Sequence, residues 1–393
     1  MRTLIKNVRL IMPDRVMGDA RLVIRDGLID DFGTEAYPNG EFHEVIDGKG
    51  AYLSPGFVDT HVHGGNGTSF HDGSEEAIRN VLSVHLKGGT TSILPTLTSL
   101  THEQYLNILS LFADLDFRGE AVPDIEGIHM EGPYCSGSVL GAQDVKTYRT
   151  VDYREVDAYL EIYPKIRKWT AACELEGGMG FGRFLERKGI VASIGHSNAT
   201  LQETFEAYNN GYRHVTHLYS SCSSYHREGA YRKAGIVEAA FLIDGMDVEV
   251  IGDGVHLPKE FLQLIYKIKG PEHICLVTDA TRWGGAKLPD GTRTFADAAE
   301  SRVIYIENGV ALVEDKSCFA GSIATADRLV RTATKIAGIP LVDSVRMATL
   351  TPARIIGIDR YVGSIARGKR ANLLLFNDDI DIEGVFIQGK RVL

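Results

Sequence analysis

The sequence lacks the features that mark membrane proteins and disulfide-stabilised proteins. No apolar run approaches the roughly 18 residues that a membrane helix needs, and the first residues, MRTLIKNVRLIMPDRV, contain no apolar core of signal-peptide length. The chain has 5 cysteines, and none of them forms a CxxC pair. An odd, scattered set of this kind indicates reduced thiols and no disulfide framework. We therefore expect a cytoplasmic protein that has no membrane partner.

The sequence also lacks a basic patch and an excess of positive charge. It contains 42 Lys and Arg residues against 52 Asp and Glu residues, which gives a formal net charge of -10. This balance argues against nucleic-acid binding, although it leaves room for a local anion site. The hydrophobic content of 44% is ordinary for a folded globular chain and excludes a largely disordered one.

Both ends of the chain are predicted to form short strands separated by turns. Residues 1–50 have this character, and so does the last stretch, GKRANLLLFNDDIDIEGVFIQGKRVL. Asp26-Gly27 and Asp47-Gly48 are hairpin-type turn signals. Because these β-rich ends flank a different middle, we expect a small β-sandwich built from the N- and C-terminal segments. The predicted boundaries are 1–52 and 361–393 for the two parts of the sandwich, and 53–360 for a central hydrolase barrel.

The middle of the chain alternates short apolar strands with helix-like segments, as in GFVDTHVH followed by SEEAIRNVLSVHLKGG. Eight strand candidates occur, and alternation at this spacing predicts an α/β fold with a closed (β/α)8 TIM-like barrel. The alternative is an open, doubly wound sheet. No GxGxxG motif follows the first strand, and the polar motifs lie at many strand ends instead of one switch point. These two observations favour the barrel.

Metal-competent side chains lie at the C-terminal ends of five of the strand candidates. His61 and His63 end GFVDTHVH, and their i, i+2 spacing points both imidazoles to the same side of the strand. Taken singly, each candidate has an ordinary structural explanation, such as a helix N-cap. In a barrel, however, this rim is where catalysis takes place, and these ligands suit a divalent ion such as Zn²⁺ or Fe²⁺. The other four candidates are Glu131, His196, His217 and Asp279.

Eight motifs in order along the chain resemble those of the N-acetylglucosamine-6-phosphate deacetylases of the amidohydrolase superfamily. They are PGFVDTHVHGG, GGTTSILPTLTS, HMEGPY, IGHSNAT, THLY, DGVHL, LVTDAT and the late AGS…TPAR…GSIARGKRANL. The HxH pair and the final Asp are shared across the superfamily, whereas EGPY and GHSNAT are narrower. The resemblance implies a metal-dependent barrel with a small β-sandwich, and removal of acetate from N-acetylglucosamine 6-phosphate to give glucosamine 6-phosphate.

The resemblance also implies a role for each metal-competent residue. Glu131 would be the central ligand, with His196 and His217 completing one metal site. The HxH pair and the final aspartate, Asp279, would frame a second. Some family members lack the HxH pair, so one or two ions of Zn or Fe per subunit are expected. Asp279 would in addition be catalytic, taking a proton from water and returning it to the departing amine.

The resemblance further implies a set of substrate contacts. His256, in DGVHL, matches a substrate-binding histidine of the family. Arg227, in HREG, matches an arginine that clasps the substrate phosphate, in some members from a neighbouring subunit. A homodimer in which Arg227 reaches the neighbouring site is therefore expected. The other implied contacts are Ala142, Gln143, Ser220, Ser221 and, in a loop lining the sugar pocket, Phe319, Ala320 and Gly321.

Three substitutions set this chain apart from the family, and all three fall on substrate contacts. The family's Lys-Gly-Ala-His is replaced by Leu140-Gly141-Ala142-Gln143, its Asn-Ala by Ser220-Ser221, and its Arg-Glu-Pro-Gly by Arg227-Glu228-Gly229-Ala230. Alternatives to the family substrate therefore stay open: another N-acetylhexosamine, phosphorylated or not, or a non-sugar amide. A non-catalytic relative should have lost metal ligands, and all six are present here.

Overall fold

The middle of the chain forms a parallel barrel in a computed structural model that describes residues 1–36, 42–137 and 145–393. Barrel strands 1 to 8 are Phe57–Val62, Thr90–Thr98, Ile128–Glu131, Ile166–Ala171, Val191–Ile194, Tyr212–Val215, Asp247–Ile251 and Ile274–Val277. Consecutive strands pair in parallel. The ring closes between strands 8 and 1, where the N–H of Asp279 donates to the carbonyl of His61 at 2.9 Å. The predicted barrel is confirmed, and the open sheet is excluded.

Helices follow the barrel strands and cover the outside of the ring. Their starts are set by caps: the hydroxyls of Thr101 and Thr200 accept backbone N–H groups, and Gln104 and Glu203 complete capping boxes. In the three stretches that the structure describes, no helix combines the length and apolar character needed to cross a bilayer. The helices are Glu75–Lys87, His102–Asp114, Tyr153–Ile162, Gly178–Lys188, Leu201–Asn209, Ile236–Leu242, Lys259–Lys269, Ala326–Arg331, Leu341–Met347 and Leu350–Ile355.

The two ends of the chain build one sheet together. On the strand Leu373–Phe376, Leu373 and Leu375 belong to a separate hydrophobic core of the terminal sheet. The alternate residues Leu374 and Phe376 point to the other side and pack into the barrel core. A β unit made from both termini is thus confirmed, and the domain boundaries stay a prediction. The strand order is Lys390–Arg391, Ile382–Ile387, Leu373–Phe376, Tyr52–Pro55, Arg2–Ile11, Val16–Arg25 and Leu28–Gly33, with Glu44–Asp47 also paired to Arg2–Ile11.

One of the two predicted hairpin turns is confirmed and the other is wrong. Asp26-Gly27 joins two antiparallel strands with φ values of 51° and 83°, as a two-residue hairpin requires. Asp47-Gly48 does not reverse the chain, because the strands before and after it both run parallel to Arg2–Ile11. A Cβ on Gly48 would lie 2.2 Å from Val8 Cγ1. Glycine is therefore required there for close packing of two strands.

A four-stranded antiparallel sheet is inserted after barrel strand 8 and returns to the rim of the barrel. Its last strand pairs with the barrel end, since the N–H of Ser322 donates to the carbonyl of Asp279 at 3.0 Å. Phe319, Ala320 and Gly321 were expected in a loop, and that expectation is wrong because Phe319–Ser322 forms the last strand of this sheet, with Phe319 paired to Leu312. The strands are Thr292–Phe295, Val303–Glu307, Val310–Val313 and Phe319–Ser322.

Gly195, between barrel strand 5 and His196, offers a test of how tightly the strand ends pack. A Cβ at this position would lie 2.7 Å from Thr170 Cγ2 and 2.8 Å from Thr216 Cβ. We expect Gly195→Ala to lower the free energy of unfolding by about 1–3 kcal/mol through overpacking, measured by urea denaturation. Gly18→Ala is the control, because no atom of the described residues lies within 4 Å of its added Cβ. Equal losses in the two variants would contradict this view of the packing.

Candidate active site

The barrel brings the six predicted metal ligands together at the C-terminal rim, with Glu131 at the centre. Glu131 Oε1 lies 2.9 Å from His196 Nε2 and 3.0 Å from His217 Nε2. Glu131 Oε2 lies 3.3 Å from His63 Nε2. One carboxylate therefore contacts imidazoles from three other parts of the ring.

The six side chains divide into two groups that share this centre. In the first group, the Glu131 triad of Glu131, His196 and His217, the ligand atoms lie within 4.8 Å of one another. In the second group, the HxH triad of His61, His63 and Asp279, the ligand atoms also lie within 4.8 Å of one another. Asp279 Oδ1 lies 3.3 Å from His63 Nε2 and 3.5 Å from His61 Nε2.

Left-handed backbone conformations occur at three of the six positions. The φ values of His196, His217 and Asp279 are 48°, 29° and 44°. Residues other than glycine rarely adopt this region, and such strain persists only where the surrounding structure enforces it. His217 is also fixed by its ring, because Nδ1 lies 2.9 Å from the carbonyl oxygen of Ser220. The strand ends thus hold these side chains in defined orientations.

The site concentrates negative charge in a buried space. Burial alone would raise the pKa of Glu131, but His61 and His196 hold this pKa well below its usual range. Burial likewise opposes ionisation of Asp279, and His61 and His63 outweigh it and lower its pKa. For His63, burial opposes protonation, whereas hydrogen bonds to Asp279 and Glu131 raise the pKa to about 9. The two carboxylates thus attract positive charge, which protons or metal ions can supply.

The donor atoms fit a divalent metal ion. His61 Nδ1 lies 3.0 Å from Glu249 Oε2, and burial opposes ionisation of Glu249, but Lys168 and His61 hold its pKa well below its usual range. Burial opposes protonation of His61, but Asp279, Glu131 and Glu249 raise its pKa. The contact at Nδ1 leaves Nε2 facing Glu131 and Asp279, where it can serve as a metal ligand. This Nε2 atom is buried and has no hydrogen-bond partner among the described residues. A cation would satisfy it, and imidazole nitrogen with carboxylate oxygen is a common ligand set for zinc and iron.

Two predicted substrate contacts, His256 and Phe319, pack against each other. His256 Nδ1 lies 2.7 Å from Asp253 Oδ2. Burial would raise the pKa of Asp253, but its hydrogen bond to His256 lowers it. The His256 and Phe319 rings pack with their centres 4.4 Å apart. Ala320, which follows Phe319 in the sequence, is buried, and a Cβ on Gly321 would lie 3.0 Å from the carbonyl oxygen of Asp279.

The remaining predicted contacts have other environments. Ser220 and Ser221 act through their backbone, because their carbonyl oxygens accept hydrogen bonds from His217 and from the N–H of Ser197. Arg227 lies on an exposed hairpin, directly across from Arg232. Ala142 and Gln143 lie outside the described residues.

Two charged residues next to the site were missed by the sequence analysis. Glu249 on barrel strand 7 and Lys168 on barrel strand 4 are fully buried and form an ion pair. The available signal was a charged residue in the middle of each strand, Lys168 in IRKWTA and Glu249 in DVEVI. Both residues lie within their strands, whereas the predicted ligands lie at strand ends, so the motifs at the strand ends do not indicate them.

The comparisons with known proteins agree with this geometry. The model of the amidohydrolase family matches residues 52–392, so the chain belongs to this family. The N-acetylglucosamine-6-phosphate deacetylase of Haemophilus influenzae is 30% identical over 379 residues, which cover 95% of each chain. An N-acetylgalactosamine-6-phosphate deacetylase of a Shewanella strain is 33% identical over 343 residues, covering 86% of this chain and 82% of the relative.

A solved structure gives the same result. It is a mutant N-acetylglucosamine-6-phosphate deacetylase of Mycobacterium smegmatis in complex with N-acetylglucosamine 6-phosphate. It superimposes with a TM-score of 0.88 and 28% identity, covering 100% of this chain and 99% of that one. Within the amidohydrolase family, the resemblance to the N-acetylglucosamine-6-phosphate deacetylases that the motifs indicated is therefore confirmed.

Substitution of Glu131 tests the metal site, because this carboxylate contacts histidines of both triads. Zinc added to metal-free wild-type protein should stabilise it, by about 2.7 kcal/mol at a concentration 100 times the Kd. Glu131→Gln should lose most of this stabilisation, measured by thermal unfolding with and without Zn²⁺. Glu126→Gln is the control, since Glu126 is also a buried carboxylate but pairs with Arg370 at 2.6 Å, at the start of barrel strand 3. An unchanged zinc response in Glu131→Gln would exclude this site.

Proposed function

We propose that the protein hydrolyses N-acetylglucosamine 6-phosphate to glucosamine 6-phosphate and acetate. The observation that supports this most strongly is the pair of triads around Glu131, with Asp279 at the barrel rim. The reaction is the one named for the Haemophilus influenzae relative and for the Mycobacterium smegmatis structure. A cytoplasmic location fits the five cysteines, all of which are free thiols.

The two triads would hold the metal, and Asp279 would move the proton. The presence of a complete HxH triad favours two ions of zinc or iron per subunit. Such an ion, when bound, lowers the pKa of water to roughly 7 and polarises an amide carbonyl. The carboxylate of Asp279 accepts the proton of the attacking water and then donates it to the amine nitrogen as the C–N bond breaks. The products are acetate and the free amino sugar.

The remaining predicted residues would bind the sugar phosphate. His256, oriented by Asp253, offers Nε2 as an acceptor for a sugar hydroxyl. Arg227 would clasp the phosphate through paired N–H donors, and in a homodimer it would reach the site of the neighbouring subunit. Its position on an exposed hairpin is compatible with such a reach. The other proposed contacts are Ala142, Gln143, Ser220, Ser221, Phe319, Ala320 and Gly321.

A second candidate substrate is N-acetylgalactosamine 6-phosphate. It is favoured by the Shewanella relative, which is named for this epimer and is 33% identical to the chain. The three substitutions in the substrate shell also permit a change of sugar. The chemistry of acetate removal would be the same for both epimers, because they differ at a hydroxyl and not at the amide.

A substrate panel tests the proposed function. Zinc-loaded and iron-loaded protein would be assayed for acetate release from N-acetylglucosamine and N-acetylgalactosamine, each with and without the 6-phosphate. We expect the fastest release from N-acetylglucosamine 6-phosphate. Turnover of hydantoins or N-acyl amino acids, with no acetate from any sugar, would contradict the proposal.

Asp279→Asn tests the proposed proton transfer. Asparagine keeps an oxygen toward His61 and His63, but its amide cannot accept the proton of the attacking water. We therefore expect kcat to fall by roughly 10²–10⁴-fold. Metal content would be measured on the same preparation, and it should stay close to that of the wild type. Wild-type turnover at full metal occupancy would exclude this role for Asp279.

Arg227→Ala tests the phosphate contact, with Arg232→Ala as a matched control on the same hairpin. The two arginines lie directly opposite each other and both are exposed. Loss of Arg227 should raise KM for the phosphorylated sugar by 10-fold or more, since a charge-assisted pair contributes about 1.5–3 kcal/mol. The unphosphorylated sugar should be unaffected. Equal effects of the two variants would show that the hairpin has no specific phosphate contact.

A further inference from the structure

Barrel strand 7 carries a carboxylate, Glu249, that has no part in the proposed reaction but lies directly beneath the metal ligands. Its side chain is fully buried. Oε2 lies 3.0 Å from His61 Nδ1 and 3.3 Å from the backbone nitrogen of His217. Oε1 accepts from Lys168 Nζ and, at 3.4 Å, from the hydroxyl of Thr60. Both oxygens therefore have assigned partners.

Lys168 determines which oxygen of Glu249 faces His61. The ammonium group is fully buried, and it donates to Glu249 Oε1 and to the carbonyl oxygen of Thr60 at 3.3 Å. A buried ion pair of this kind adds little to stability by itself, because desolvation of the two charges offsets their attraction. Its position under the site points to a role in orienting the site.

The contact with Glu249 selects one tautomer of His61. A neutral imidazole carries one N–H, and a carboxylate at Nδ1 keeps that proton on Nδ1. Nε2 then presents a lone pair, 3.4 Å from Glu131 Oε1 and 3.5 Å from Asp279 Oδ1. This is the form of the ring that binds a metal ion.

We propose that Glu249, held in place by Lys168, is the positioning residue that makes the HxH triad a metal site. The inference rests on the proposed metal-dependent function. The Glu131 triad depends on Glu249 less directly, because Glu249 accepts from the backbone N–H of His217 at 3.3 Å, whereas the ring of His217 is oriented by the carbonyl oxygen of Ser220 at 2.9 Å. Glu249 therefore controls the occupancy of the HxH triad and leaves that of the Glu131 triad largely unchanged.

Glu249→Gln separates the two sites. The glutamine oxygen must face the ammonium group of Lys168, so the NH₂ group faces His61 Nδ1 and donates to it. The long bond from the backbone N–H of His217 is lost as well, but the ring of His217 keeps its contact with Ser220. The proton of His61 then moves to Nε2, where it points into the HxH triad and prevents ligation. Glu249→Asp keeps the charge and the acceptor, and Glu126→Gln is a control for loss of a buried carboxylate that pairs with Arg370 at 2.6 Å.

The measurement is the number of zinc ions bound per chain, from elemental analysis after equilibrium dialysis over a range of free Zn²⁺ concentrations. Circular dichroism of each variant would verify folding. We expect two equivalents in the wild type and in Glu126→Gln, and one equivalent in Glu249→Gln. In Glu249→Asp, the second equivalent should bind 10- to 100-fold more weakly while the first is unchanged. This variant decides the matter if Glu249→Gln does not fold.

Three results would overturn the inference: one equivalent in the wild type, two tight equivalents in Glu249→Gln, or loss of both equivalents together. Unchanged binding in Glu249→Asp, where Glu249→Gln does not fold, would also overturn it. Acetate release from the sugar phosphates would be measured on the same preparations. Wild-type protein that binds two zinc ions but releases no acetate would contradict the proposed function and leave this inference intact.

Discussion

A single buried carboxylate, Glu131, holds the active site together. Its two oxygens lie within 3.4 Å of imidazole nitrogens from His61, His63, His196 and His217. A buried charge is costly unless it is paired and hydrogen-bonded, and the imidazoles around Glu131 supply that pairing. Closure of the barrel between strands 8 and 1 brings Asp279 into the same group. The fold and the site are thus consequences of one another.

Much of this arrangement could be predicted from the sequence, because it depends on local periodicity. Two histidines at i, i+2 on a strand must point to the same side, and His61 and His63 do so. Glu131, His196, His217 and Asp279 each follow a short apolar run, and parallel strands bring such ends to one rim. The turn at Asp26-Gly27 was predictable for a similar reason, since its backbone conformation is determined by the two residues themselves.

Other features depend on tertiary contacts that have no local signature. The Glu249–Lys168 pair joins strands 81 residues apart in sequence, and neither residue stands at a strand end. Phe319 lies on a strand because it pairs with Leu312, and Ser322 of the same strand pairs with Asp279. The motif alone indicates neither contact. Asp47-Gly48 has the composition of a hairpin, but packing against Val8 determines its conformation. Substrate contacts likewise have no periodic pattern, so those at Gln143, Ser220 and Ser221 stay predictions that rest on the motifs alone.

The central claim is that the two triads around Glu131 are metal sites. Anomalous X-ray diffraction from crystals of the zinc-loaded protein, recorded on both sides of the zinc absorption edge, tests it most directly. We expect one peak within the Glu131 triad and a second within the HxH triad, with Glu131 bordering both. Zinc density located elsewhere, with no peak beside Glu131 in fully loaded protein, would show that the triads are not metal sites.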